Sequence, residues 1–317
     1  MNKINNSEIL LIYEAKYTNP NGDPDNENKP RMDYATSRNI VSDVRLKRFI
    51  RDFFYKHLGM DIFVRKEDDG STVDATTRAN NIAQKKGKKG ADLELLKEFI
   101  DIRFFGVTLP LKKQGKKQVK EQVEKQVKEQ GSKGSSITLT GPLQFTWGYS
   151  LNEVEILNSP SITSHFAGAK ETGGSIGKFW IVKYSLISFY GRINGKLAEY
   201  TGLTYDDIKK LDENIFEAIL CETSTRSKIG HHPLLYMRIE YNDNLVLLGD
   251  LRRFVDIDKK KGIENTRDFE LDISRLIDRI LNIQHKISKL VVRLDTNMSY
   301  LENEIKNKLS QVYVNFI

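Results

Sequence analysis

ILLIYEAKY, residues Ile9–Tyr17, opens as an unbroken apolar run and closes in alternation, with Tyr13, Ala15 and Tyr17 set against Glu14 and Lys16. A run apolar on both faces reads as a strand in the interior of a sheet. It empties into TNPNGDPDNENKPRMD, Thr18–Asp33, whose three prolines, one glycine and four asparagines predict a long loop. From Ser37, taken as an N-cap, Ile40, Val41, Val44, Leu46, Phe49, Ile50, Phe53 and Phe54 recur without proline up to His57 and Gly59, which predicts a helix.

Residues 60–95 are polar and glycine-spotted, after which Ile100–Leu109, Ile137–Thr140 and Leu143–Trp147 read as short strands and Phe179–Tyr190 as a longer one. Thr204 and Asp207 form a capping-box pattern ahead of Ile208, Leu211, Ile215 and Ile219, a second helix ending near Cys221. Leu235, Met237, Ile239 and Tyr241 then alternate with Tyr236, Arg238 and Glu240 in a further strand. Stripped of insertions the order is strand, helix, strands, helix, strand. That is the β-α-β-β-α-β signature of an α+β fold of the ferredoxin-like or RRM type. Beyond it, Leu245–Val255, a helix running through Ile273, Leu276, Ile280, Ile283, Ile287 and Val291, and a strand-like end at Val312–Phe316 read as elaboration of the same domain.

The single cysteine, Cys221, cannot form a disulfide within the chain and suits a reducing cytoplasm. The apolar run Ile9–Tyr13 is too short for a signal-peptide core, and Tyr184–Gly191, bounded by Lys183 and Arg192, falls well short of the roughly 20 residues a membrane helix needs. A soluble cytoplasmic protein is expected. Lysine and arginine exceed aspartate and glutamate by 50 to 43, but the segment Lys112–Lys133 holds eight lysines against three glutamates and so carries most of the net +7. Any surface for a polyanion is therefore local. The low-complexity Lys112–Lys133 segment, like KKGKKG at Lys85–Gly90, reads as a solvated insertion or as a basic arm on phosphate.

Motifs for catalysis are sparse. The five histidines and one cysteine show no HExxH or CxxC spacing, and neither a GxSxG elbow nor a Walker loop occurs, so no cofactor or metal is expected. One acidic cluster, Asp23, Asp25, Glu27 and Asp33, has the donors of a divalent-metal site for phosphodiester cleavage; the same residues also make self-bonded turns. Binding is better supported. Arg38, Arg45, Lys47, Arg48, Arg51 and Lys56 face only Asp43 and Asp52 on the first predicted helix, a local +4, and Arg38 and Arg45 share a face at a spacing of seven. The loop Ser161–Lys178 mixes hydroxyls, glycines, Lys170, Lys178 and one aromatic, Phe166, as a loop that lies on a nucleic-acid backbone would. STRSKIG, Ser224–Gly230, sets Arg226 and Lys228 among small residues, the makings of a phosphate nest or of a plain turn.

Taken in order, YTNPNGDPDNENKPRMD, VSDVRLKRFIR, DIRFFG, ITLTGPLQFTWG, SPSITSHFA, GGSIGK and TRSKIGHHPLLYMRIEY resemble the backbone subunit of type I CRISPR surveillance complexes (Cascade), in its DevR-like group and the subtype I-B branch. The resemblance covers about Ile9–Phe254. It implies an RRM-like palm with a finger-like insertion at 59–95 and a thumb-like loop at 160–178; the lysine-rich insertion at 112–134 departs from the family's pattern, and 268–317 reads as a C-terminal extension. It further implies a non-catalytic subunit whose copies polymerise along a CRISPR RNA and present it to complementary DNA, with other Cascade subunits and a recruited helicase-nuclease as partners. The guide-binding residues it implies are Asn21, Arg31 and Arg38; Ser42, Lys47 and Arg48 of the family's basic helix, with Arg45 and Arg51 beside them; Ser164, His165, Phe166, Lys170 and Lys178 of the thumb; and Arg226 and Lys228. Related RNA-targeting complexes cut RNA with an aspartate after the first strand. A metal-dependent ribonuclease using the acidic residues of the 18–33 loop is therefore the alternative reading.

Overall fold

The computed structural model describes residues 3–88, 90–110, 136–164, 175–222, 226–259 and 262–317. The main sheet takes, in chain order, β1 (Ser7–Thr18), β2 (Met32–Asp33), β3 (Arg38–Val41), β4 (Leu143–Phe145), β5 (Gly148–Ser150), β6 (Ile156–Ser164), β7 (Ser175–Ile193), β8 (His231–Tyr241), β9 (Ile287–Leu294) and β10 (Val314–Phe316). Across it the strands run β10-β9-β8-β1-β7-β5-β3-β2, with β4 and β6 also paired to β7. Every pairing is antiparallel except β9 with β10. β1 is central, as its unbroken apolar run requires: Leu11 sits between Phe189 of β7 and Tyr236 of β8. The described residues also form helices α1 (Asp43–Lys56), α2 (Ala75–Lys85), α3 (Leu93–Leu96), α4 (Ile100–Phe105), α5 (Gly195–Thr201), α6 (Tyr205–Leu220), α7 (Ser274–Asn282) and α8 (Tyr300–Lys308).

Successive side chains of β1 enter different cores because a strand alternates its faces. Ile9, Leu11, Tyr13 and Ala15 join one core with Leu46, Phe49, Ile50, Phe53 and Phe54 of α1 and Ile208, Leu211, Ile215 and Ile219 of α6. Leu10 and Ile12 join a second core with Met237 and Ile239 of β8 and the apolar residues of α7, β9 and α8. The sheet is thus covered on both faces. A third, smaller core of Phe63, Ala79, Leu96, Phe99, Ile102, Leu109, Ile137 and Leu139 lies outside these two.

Several expectations from sequence are corrected. The first helix does not begin at Ser37: Arg38–Val41 is β3, paired with β5 through Ile40 and Tyr149, and α1 begins only after Ser42. Arg38 and Arg45 therefore share no helix face. Ile100–Leu109 is not one strand but α4 followed by a strand at Gly106–Pro110. Its apolar residues at even steps fit either period, and Gly106, at φ +75° with Leu139 O where a Cβ would stand, releases the chain from the helix. The helix predicted through Val291 ends at Asn282, and Ile287 and Val291 lie in β9. Residues 60–95 contain α2 and α3, capped by the Asp74 and Asp92 carboxylates. The capping box at Thr204 and Asp207 forms as expected. No helix among the described residues is long and apolar enough to cross a membrane.

Candidate nucleic-acid interface

The cations of α1 do not form an open face. Arg45 meets Glu222 at 3.2 Å, Lys47 meets Asp43 at 3.0 Å and the Gln144 amide oxygen at 3.0 Å, and Arg51 meets Asp101 at 3.1 Å. Arg48 pairs with Asp52 and donates to the Val64 carbonyl at 2.9 Å. Lys47 is buried. Arg45 and Arg51 also lie over the rings of Phe49 and Phe105 at 4.2 and 4.7 Å. The composition of the helix showed only Asp43 and Asp52; Glu222 and Asp101 are brought in by the fold from distant sequence. The +4 counted on the segment is largely neutralised where it stands.

What the fold does bring together is the end of β1, the 18–33 loop, the start of α1 and the turn before β8. The Asn21 side-chain oxygen accepts the Ser42 N–H at 2.8 Å, tying the loop to the first residue before α1. The Asn19 N–H donates to Ser227 O at 3.2 Å and Lys16 N–H to Gly230 O at 3.1 Å, and the Thr18 hydroxyl also donates to Ser227 O. Lys228 points inward and donates to the carbonyls of Asn19 and of Pro20, the latter at 3.0 Å. Arg226 stacks over Phe179 at 4.2 Å and Lys29 over Trp180 at 4.5 Å, so both loops are fastened to adjacent rings at one end of β7. Arg31 pairs with Asp23 at 3.1 Å, and Arg38 lies 5.6 Å from the Tyr149 ring.

Not every cation at this junction is ion-paired. Lys16, Arg226 and Lys228 have no carboxylate partner among the described residues. Burial, reinforced by the Arg45 charge and opposed by Glu222, pushes the Lys228 ammonium down to about 7. Burial likewise holds His231 well below the usual histidine range, with Lys228 and Arg45 adding to the effect. Beneath the junction the Tyr13 hydroxyl, Asn19 Oδ1, Arg45 Nε and both His231 ring nitrogens are buried without a hydrogen-bond partner among the described residues. The His231 ring packs against Tyr13 at 5.5 Å and edge-on to Phe49 at 5.7 Å, at the rim of the core under α1.

The acidic loop is locally tied. Asp23 is held by Arg31, and Asp33 accepts the Thr36 hydroxyl at 2.7 Å and the Ala35 N–H at 3.0 Å, bonds that lower its pKa. No group of three or more histidine, cysteine, aspartate or glutamate side chains is placed to hold a metal among the described residues. Of the expected thumb residues, Ser164 is in β6 opposite Ser175 and Lys178 is in β7. His165, Phe166 and Lys170 lie outside the described residues. Sequence reasoning passed over Lys16, Tyr17, Phe179 and Trp180; the signal was a basic-aromatic pair at the mouth of the loop after β1.

Residues 5–278 match the family model described as CRISPR-associated protein Cas7. A CRISPR-associated protein Cas7 of Haloferax volcanii is 31% identical over 311 residues, spanning 92% of this chain and 87% of that protein. Among solved structures, a chain of a CRISPR RNA-guided surveillance complex in a pre-nicking state is similar in fold at TM-score 0.50 and 13% identity, covering 96% of this chain and 100% of that one. A chain of another CRISPR RNA-guided surveillance complex matches at TM-score 0.48 and 12% identity, over 92% of this chain and 90% of that one. With most of its length matched by the family model and by a relative of this identity, the chain belongs to the CRISPR-associated protein Cas7 family.

Proposed function

We propose that the chain is a non-catalytic CRISPR RNA-binding backbone subunit of a type I surveillance complex, of the subtype I-B branch. Its copies line up along the guide and present it for pairing with complementary DNA, alongside other subunits and a recruited helicase-nuclease. The observation that carries this reading is the junction at the end of β1, where Lys16 and Arg226 form no ion pair among the described residues and Asn21 and Ser42 are bonded to each other nearby. A polyanion that supplies its own negative charge suits such a place, and contacts to phosphate carry no sequence preference, as a subunit that leaves recognition to base pairing requires.

β1, α1, β7, α6 and β8 are the palm of an RRM-like domain in this reading, with both helices on one face. Residues 59–95, part of which has a core of its own, are the finger-like insertion. The β6–β7 hairpin carries the thumb-like loop at 160–178, whose residues 165–174 lie outside the described residues, as does the lysine-rich insertion at 112–134, and 268–317 is the C-terminal extension. Asn21, Ser42, Arg226 and Lys228 meet the guide backbone. The α1 cations reach it only by leaving the carboxylates that hold them and so contribute less.

RNA-binding titrations across salt test the reading. With roughly six phosphate contacts, affinity falls by about three decades between 50 and 200 mM salt. A flat salt response, or cleavage of complementary RNA by purified protein carrying a guide in Mg²⁺, overturns it.

A further inference from the structure

β1 ends in an exception. Tyr17 has φ +48°, the left-handed region that residues other than glycine, asparagine and aspartate rarely enter. The pairs on either side, Lys16 with Tyr184 and Thr18 with Val182, keep their register, so the sheet continues past a single strained residue. The strain has one visible product. Tyr17 is 53% exposed, whereas Tyr13, Tyr184, Tyr236 and Tyr241 are fully buried.

Its surroundings are specific. The bond from Lys16 N–H to Gly230 O brings the turn before β8 alongside, and Ile229 in that turn is 61% exposed. Lys16 and Arg226, which form no ion pair among the described residues, belong to the same two segments, while Lys183 of β7, close to Tyr17, is paired with Glu264 at 2.7 Å and Glu155 at 3.8 Å. An exposed ring and an aliphatic side chain in the same two segments as Lys16 and Arg226 match a single-stranded nucleic acid, which offers a π-face for every base and a phosphate at every step. A protein partner fits less well, since lysine is depleted in the centre of protein interfaces. A duplex hides its base faces.

We propose that Tyr17, with Ile229 in the neighbouring turn, is a stacking platform for one base of single-stranded RNA, Lys16 and Arg226 taking the flanking phosphates. This rests on the RNA-binding reading above and adds to it a base-contacting residue.

The test is a titration of an unstructured, fluorophore-labelled oligoribonucleotide against the full chain and two variants, with a thermal melt of each. Tyr17→Phe keeps the ring and binds within about twofold of wild type, whereas Tyr17→Asn, which tolerates left-handed backbone, binds about tenfold more weakly with an unchanged salt slope. The thermal midpoint of Tyr17→Asn stays at or above that of wild type. If wild type binds no RNA, the RNA-binding reading itself falls and the platform with it. If wild type and Tyr17→Asn bind equally, the platform alone is overturned. Equal loss in Tyr17→Phe, or loss of association between copies with RNA affinity intact, also overturns it.

Discussion

Glu8 illustrates what a single buried charge does here. Its carboxylate, fully buried, accepts the hydroxyls of Tyr190 and Tyr241 and the N–H groups of Leu248 at 2.7 Å and Gly249 at 2.9 Å. Four donors aimed at one carboxylate leave no place for an amide, so Glu8→Gln should cost about 2–3 kcal/mol, read from the urea midpoint at constant m-value. Lys228 makes a pH-dependent case. Its folded pKa lies near 7, below that of the unfolded chain, so between about 7 and 10 the unfolded state holds a proton that the folded state has shed. Stability therefore rises with pH across that window, and the penalty is fully present below it. Lys228→Met should be more stable than wild type at pH 7, and the gap should narrow by pH 9 in paired denaturation curves; a constant gap would show that Lys228 titrates normally.

Between elements, distant ion pairs matter more than helix composition. Asp101 of α4, its side chain wholly buried, accepts Arg51 of α1 at 3.1 Å and the N–H groups of Phe63 and Val64 at 2.8 and 3.0 Å. Asp101→Asn should cost about 2–4 kcal/mol and speed hydrogen exchange at Phe63 and Val64 before the sheet is affected. Because the α1 cations are paired, Lys16→Ala with Arg226→Ala should weaken RNA binding more than Lys47→Ala with Arg48→Ala and lower the salt slope by about two. Titrations of the two double variants decide this; the opposite ranking would return the guide to the helix. The strands β1 and β8 and the helix α6 were legible because each carries one clear period and, for α6, a cap. α8 was not, since only Leu301 and Ile305 of its nine residues are buried, and α2 buries little besides Arg78, Ala79 and Ala83. Glu222 and Asp101 were invisible as partners for the opposite reason: nothing local marks a carboxylate that will meet an arginine far along the chain.

At the scale of the whole chain, the residues beyond 268 are more than decoration. Phe269, Leu271, Ile277, Leu290, Leu301 and Ile305 belong to the core under the second face of the sheet, with Leu10, Ile12 and Met237. A chain ending before residue 268 should lose that core and with it cooperative melting, even though β1, α1, β7, α6 and β8 remain. A sharp, unshifted melt for the truncated chain would show the remaining elements to be autonomous. The sheet itself ends on β2, two residues long, and on β10, three residues long. So short a border offers an incoming strand only a bond or two, which guards against edge-to-edge aggregation. In the proposed array, copies along one RNA can then slide or reseat on their neighbours without fusing into a continuous β-ribbon. Order in such an array has to come from side chains and from the RNA, and it is undone when either is removed.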